Sequence, residues 1–167
     1  MKLFAWLLSV LAVLSSGQSS RDLITQTCKK TDYYALCVST LLSDGRSLRA
    51  DVKGLARIVI EKDLVAAQRA LDHAGDLFRE APERGSFERY GTCIEDYRAT
   101  VFRHLPAARS ALDGEKYAAS TEELQSAALL AEGCQNQFAS EKTPLAEENK
   151  AVHDLCGVAQ GIIKTLG

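Results

Sequence analysis

Apolar residues recur every three or four positions along most of the chain, and polar residues fill the positions between them. This spacing places the apolar side chains on one face of an α-helix. Four long segments follow the pattern, and the alternation of period two that is typical of a strand is absent. We therefore predict an all-α fold, an antiparallel (up-down-up-down) four-helix bundle over residues 48–167. The four apolar stripes are Ala56, Ile60, Leu64, Ala67, Leu71, Ala74 and Phe78; Phe87, Tyr90, Ile94, Tyr97, Val101, Leu105, Ala108 and Leu112; Tyr117, Leu124, Ala127, Ala131, Cys134 and Phe138; and Val152, Leu155, Cys156, Ala159, Ile162, Ile163 and Leu166.

Turn and capping residues mark the ends of these helices. Pro82 ends the first helix, and Ser86 is expected to be the N-cap of the second. Pro106 lies within the second stripe and is expected to kink or locally interrupt that helix, because proline removes one backbone hydrogen bond. Asp113 and Gly114 indicate a turn between the second and third helices.

Residues 21–44 form a separate N-terminal unit. Its two helical stretches, RDLITQTC and YYALCVSTLL, are each too short to be stable alone, and the polar residues KKTD break them apart. Cys28 and Cys37 flank this break, and their spacing alone is compatible with a metal site, a redox pair or a structural bridge. A disulfide between them would clamp the two stretches into an α-hairpin.

The first 17 residues have the plan of a secretory signal peptide. Lys2 precedes an apolar run, and the small residues Ser15 and Gly17 suit a cleavage site before Gln18. The run, LFAWLLSVLAVL, is shorter than the roughly 20 residues that a membrane-spanning helix needs, and no later run reaches that length. We expect a secreted protein with residues 1–17 removed and a single domain over residues 18–167.

Secretion makes disulfides the expected state of the cysteines. With Cys28 assigned to Cys37, elimination pairs Cys93 with Cys134 and joins the second and third long helices. Cys156 lies on the inward stripe of the last helix, where a free thiol acts as a small apolar residue.

Composition and motifs argue against an enzyme. The 20 basic and 22 acidic residues are interspersed, which disfavours nucleic acid or an anionic membrane as the partner. The three histidines, His73, His104 and His153, fall on different predicted helices without a metal-binding spacing. There is no C-x-x-C, G-x-S-x-G or phosphate-binding glycine loop. We expect no catalytic residue, no metal and no cofactor.

The segment LDGEKY is the strongest candidate for contact with another protein. Because it joins two long helices, Glu115, Lys116 and Tyr117 are expected to protrude at one end of the bundle. A cation beside an aromatic ring is a suitable anchor for an acidic cleft. The alternative is a solvated turn in which Tyr117 begins the next core stripe. Two other classes stay open: a secreted carrier of small apolar ligands, and a signalling or allergen-like bundle.

Several stretches, in this order and with this cysteine spacing, resemble the plant invertase and pectin methylesterase inhibitor family over essentially the whole mature chain. They are TCKKTDYYALC, LLSDGRS, DVKGLA, RYGTCIEDY, LPAARSAL, EGCQNQF and TPLAEENKAVHDLCGVAQGIIKTL. The resemblance implies an α-hairpin on a four-helix bundle, with disulfides joining the first cysteine to the second and the third to the fourth. It further implies a protein without activity of its own that covers the active site of a carbohydrate enzyme in the cell wall or vacuole.

The resemblance points to two possible target enzymes. Invertase inhibitors carry a Pro-Lys-Phe element before the third long helix, and Lys116 and Tyr117 resemble its last two members, while Glu115 replaces the proline. The fifth cysteine, in DLCGVA, is more similar to pectin methylesterase inhibitors. We expect a 1:1 complex with cell-wall or vacuolar invertase, with pectin methylesterase as the alternative. The expected location is the apoplast or cell wall, with the vacuole as the alternative.

Overall fold

The structure, a computed structural model, describes residues 18–138 and 143–167. The predicted signal peptide lies outside the described residues. Within these two ranges the chain is helical and contains no strand. The elements in chain order are α1 (residues 18–28), α2 (Tyr34–Leu42), a 3₁₀ turn (Gly45–Arg49), α3 (Val52–Glu80), α4 (Arg84–Ala99), a π-helical segment (Thr100–His104), α5 (Leu105–Asp113), α6 (Tyr117–Asn136) and α7 (Ala146–Ile163).

Four long helical segments enclose the core: α3, α4 continued by α5, α6 and α7. Helix α3 packs against α4 and α7, and α6 packs against α4, α5 and α7, so α4 and α5 together form one layer of the bundle. The predicted stripes supply most of the buried side chains, including Leu105, Leu124 and Ile162. The predicted all-α bundle with two disulfides is confirmed. Among the described helices, none has the length and apolar character needed to cross a membrane.

The first long helix begins and ends at residues whose chemistry explains the boundary. Asp51 has extended backbone, and its side chain accepts a hydrogen bond of 2.8 Å from the Gly54 N–H, which satisfies one free donor of the first turn. At the other end, Ala81 leaves the helical conformation with a ψ of 117°. A residue before proline is disfavoured in the α-helical region, so Pro82 ends α3 as predicted.

The predicted start of the second helix is wrong. Helix α4 begins at Arg84, with Glu83 in the N-cap position, and Ser86 lies inside the first turn. No side chain caps this helix. Instead, the rings of Phe87 and Phe78 lie 3.9 Å apart between centroids and hold the first turn of α4 against the last turn of α3. A tertiary aromatic contact therefore stabilises the start that a local capping signal placed three residues later.

The predicted interruption near Pro106 is confirmed. Immediately before the proline, residues Thr100–His104 form a π-helical segment, and the Leu105 N–H donates to the Thr100 carbonyl five residues back. Pro106 has no N–H, so the α-helical hydrogen bond to the carbonyl of residue 102 cannot form. The wider π-helical turn lies where this bond is missing. Phe102, within this segment, is 68% exposed.

Two disulfides connect separate helices. Cys28 is bonded to Cys37 across the α1–α2 turn, and Cys93 of α4 is bonded to Cys134 of α6. The second bridge spans a sequence separation of 41, for which the chain-entropy model gives about 4 kcal/mol. Cys156 is the remaining cysteine of the described residues and is a buried free thiol.

Candidate functional site

The histidines form interhelical or local pairs rather than a catalytic cluster. Each Nδ1 faces one carboxylate, and two of the three pairs join separate elements of the bundle. In the part of the chain that the structure describes, no three His, Cys, Asp or Glu side chains converge as metal ligands do. The pairs are His73 with Glu148 at 2.7 Å, His104 with Glu123 at 2.7 Å, and His153 with Asp154 at 3.2 Å.

The predicted contact loop is a helix C-terminus with defined hydrogen bonds. The Glu115 N–H donates to the Leu112 carbonyl at 3.0 Å, and the Lys116 N–H donates to the Ala111 carbonyl at 2.8 Å. These two bonds are those of a Schellman motif, in which one residue takes the left-handed conformation. Here that residue is Glu115, with a φ of 58°. A proline ring cannot adopt this φ, so the backbone at this position differs from that of a Pro-Lys-Phe element.

Ion pairs fasten the loop to the first long helix. Lys53 of α3 pairs with Glu115 at 3.0 Å, and Arg57 of α3 pairs with Asp113. Exposed pairs of this kind contribute about 0 to 1 kcal/mol each, so their main effect is to hold the loop in position. Glu115 is thus occupied by an internal contact.

The three residues predicted to protrude have different environments. Tyr117 begins α6, is half-buried and packs against the core cluster, as the alternative sequence interpretation expected. Lys116 is exposed, and no carboxylate of the described residues lies within ion-pair distance of its ammonium group. The segment thus presents an exposed Lys116 between Glu115, whose side chain stays 68% exposed beside its ion pair, and the half-buried Tyr117.

A second exposed surface was missed by the sequence analysis. Phe102, in the π-helical segment, has three exposed arginines within seven positions along the chain: Arg98, Arg109 and Arg103, whose guanidinium contacts Nε2 of His104. We call these four residues the Phe102 face. Aromatic and arginine side chains are enriched at protein interfaces. The available sequence signal was the position of Phe102, which is one residue past the predicted core stripe at Val101.

A buried acid and thiol pair was also missed. Asp63 of α3 is fully buried, and the Cys156 thiol donates to its Oδ2 at 3.0 Å, while Oδ1 has no hydrogen-bond partner. Burial raises the pKa of Asp63 to about 8. Burial, and then the Asp63 charge, raises the pKa of Cys156 well above its usual value, so the reactive thiolate is disfavoured.

These features define a class: a helical bundle cross-linked by two disulfides, without a cluster of catalytic or metal-binding side chains among the described residues. The chain belongs to the plant invertase/pectin methylesterase inhibitor family, whose model matches residues 22–162. The family and the relatives below are enzyme inhibitors and not enzymes.

Relatives of both specificities are similar to the chain. It is 29% identical to cell wall / vacuolar inhibitor of fructosidase 2 of Arabidopsis thaliana, over 95% of this chain and 91% of that protein. It is 30% identical to a pectinesterase inhibitor of Actinidia deliciosa, over 93% of this chain and 89% of that protein. A crystal structure of a mutant form of a pectin methylesterase inhibitor from Arabidopsis matches with a TM-score of 0.71 and 18% identity, covering 82% of this chain and 92% of that one. That likeness shows the shared fold.

Proposed function

We propose that this protein is a secreted inhibitor of plant acid invertase (β-fructofuranosidase) that occludes the active-site cleft in a 1:1 complex. The apoplast or cell wall is the proposed location, with the vacuole as the alternative. The predicted signal peptide over residues 1–17 and the inhibitor domain over residues 18–167 support secretion, as do relatives named cell wall / vacuolar inhibitors. The observation that carries the proposal is the exposed ammonium group of Lys116 on a fixed loop.

The loop is suited to an acidic cleft because it is ordered before binding. Two Schellman hydrogen bonds and two ion pairs to α3 hold the backbone around Lys116. A preorganised loop loses less conformational entropy on association than a mobile one. Glycosidases generally carry a pair of active-site carboxylates, and the Lys116 ammonium would pair with one of them.

The test is inhibition of acid invertase by a Lys116→Ala variant. We expect the inhibition constant to rise about tenfold or more, which corresponds to about 1.4 kcal/mol. Lys29→Ala is the matched control, because Lys29 is also exposed but lies in the hairpin turn. An unchanged constant for Lys116→Ala would remove this residue from the interface.

Pectin methylesterase is the second candidate target, and the Phe102 face supports it. A broad helical face, rather than a single projecting lysine, would then cover the substrate groove. Under this alternative, Phe102→Ala weakens inhibition of pectin methylesterase about tenfold or more, and Lys116→Ala has little effect. Leu129→Ala is the control, since Leu129 is an exposed apolar residue on another helix, α6. Wild-type protein that leaves pectin methylesterase fully active contradicts this candidate.

A further inference from the structure

A polar pocket of about 250 Å³ opens where the hairpin turn meets α6 and α7. It is smaller than the roughly 300 to 1,000 Å³ of pockets that enclose drug-sized ligands, so it suits a small molecule. We call it the hairpin pocket. The polar side chains that line it are Lys30, Asp32 and Tyr33 from the turn, Gln125 from α6, and His153, Gln160 and Lys164 from α7.

Two glycines one helical turn apart on α7 determine the shape of this pocket. A Cβ at Gly157 would lie 2.4 Å from Cε2 of Tyr33, and a Cβ at Gly161 would lie 2.8 Å from Cγ2 of Thr31. Neither distance is possible for real side chains, so the absence of side chains here lets the turn approach the helix. The Cys28–Cys37 disulfide closes the same turn. The pocket is thus a built feature of the hairpin–bundle junction.

The charges of the hairpin pocket favour an anion. Within residues 18–138 and 143–167, the ammonium groups of Lys30 and Lys164 have no carboxylate at ion-pair distance, and Asp32 is the carboxylate that lines the pocket with them. His153 also lines the pocket, but its Nδ1 faces Asp154, so the charges left for a ligand are those of two lysines and one aspartate. A ligand carboxylate would gain charge-assisted hydrogen bonds from the two lysines.

The uncharged groups favour a ligand that also carries hydroxyls. The Gln160 amide donates to the Thr121 carbonyl at 3.2 Å and to Oε1 of Gln125 at 3.3 Å. These bonds orient both amides and leave the Gln160 oxygen and the Gln125 nitrogen for other partners. Asp32 can accept hydrogen bonds from hydroxyls, and it repels an inorganic dianion more strongly than the single charge of a carboxylate. An arrangement of acceptors, amides and cations complements a sugar acid better than a simple salt ion.

We infer that the hairpin pocket binds a uronate, that is, one sugar ring bearing a carboxylate. Lys30 and Lys164 hold the carboxylate, and Gln125, Gln160 and Asp32 hold the ring hydroxyls. The site belongs to the free inhibitor and does not depend on which enzyme it inhibits. It would allow the protein to bind acidic wall polysaccharide through a chain end.

The test is a titration of the isotope-labelled mature protein with sodium D-galacturonate, followed by amide NMR. We expect shifts at residues 30–33, 125 and 160–164, and binding at least about tenfold tighter than that of D-galactose, which has the same ring without the carboxylate. Sodium phosphate tests for a general anion site and should bind at least about tenfold more weakly than galacturonate.

Variants assign the binding to the pocket. The double variant Lys30→Ala/Lys164→Ala should lose at least about tenfold in affinity for galacturonate, whereas Lys29→Ala, at an exposed lysine outside the pocket, should retain it. Amide spectra without ligand report whether each variant is folded. The inference is overturned if galacturonate causes no shifts in the wild-type protein, if phosphate binds as well as galacturonate, or if the folded double variant binds like the wild type.

Discussion

Replacement of Asp63 by Asn should abolish a fall in stability that the buried acid causes as pH rises. Asp63 is fully buried, with one hydrogen bond from the Cys156 thiol and one carboxyl oxygen without a partner. Because burial disfavours the charged form, the pKa of Asp63 rises from 3.8 to about 8. Asparagine has nearly the same shape and does not ionise.

The direction and size of this change in stability follow from proton linkage. Between pH 3.8 and about 8 the folded state retains the proton on Asp63 while the unfolded state releases it. The contribution of Asp63 to stability is therefore fully present below pH 3.8 and is lost as pH rises through about 8. Each pKa unit corresponds to about 1.4 kcal/mol, so the whole interval amounts to about 6 kcal/mol, and the part between about pH 5 and 7.5 to about 3 kcal/mol.

The assay is urea unfolding with intact disulfides, followed by far-UV circular dichroism at several pH values. We expect the free energy of unfolding of the wild type to fall by about 3 kcal/mol relative to Asp63→Asn between about pH 5 and 7.5. Burial also raises the pKa of Asp96, to about 6, but Asp96 is present in both proteins and cancels in the comparison. Asp72→Asn, at an exposed position of the same helix, is the control. Parallel pH profiles for the wild type and Asp63→Asn would refute the reasoning.

Two further substitutions test the geometry of the hairpin and of the contact loop. Gly157→Ala should lower the free energy of unfolding by about 1 to 3 kcal/mol in urea unfolding, because its Cβ would overlap the Tyr33 ring. Gly75→Ala, where the Cβ meets nothing closer than 3.7 Å, should be neutral or stabilising, and equal behaviour of the two variants would contradict the close approach. Glu115→Gly should be about 1 kcal/mol more stable than Glu115→Ala in thermal unfolding, because both lose the ion pair to Lys53 but only glycine relieves the φ of 58°. Identical melting temperatures would show that the loop conformation stores no strain.

The parts of the fold that follow from local periodicity and backbone chemistry were predictable. Apolar residues at helical spacing identified the four long helical segments of the bundle. The backbone restriction that Pro82 imposes on Ala81 placed the end of α3, and the missing N–H of Pro106 placed the interruption before α5. The start of α4 was not predictable in this way. It depends on contact between Phe78 and Phe87, which no local pattern encodes.

The exposure of Phe102 and the burial of Asp63 could be established only from the three-dimensional structure. Phe102 follows Val101 of the predicted stripe, so the period already placed it outside the core, but only the structure shows that no other element covers it and that 68% of the residue is exposed. Asp63 does lie at inward spacing between Ile60 and Ala67, so the position was readable from the sequence, but a charged residue type argued against burial. Its burial became evident only from the packing of α7 against α3.

The central claim is that this helical protein binds and blocks a carbohydrate-active enzyme. The most direct measurement is titration of acid invertase and of pectin methylesterase, separately, with the purified mature protein, followed by residual enzyme activity. The account predicts that invertase loses its activity at about one equivalent of inhibitor and that the isolated protein turns over neither sucrose nor pectin ester. Full activity of both enzymes in excess inhibitor, or turnover by the protein itself, would contradict it.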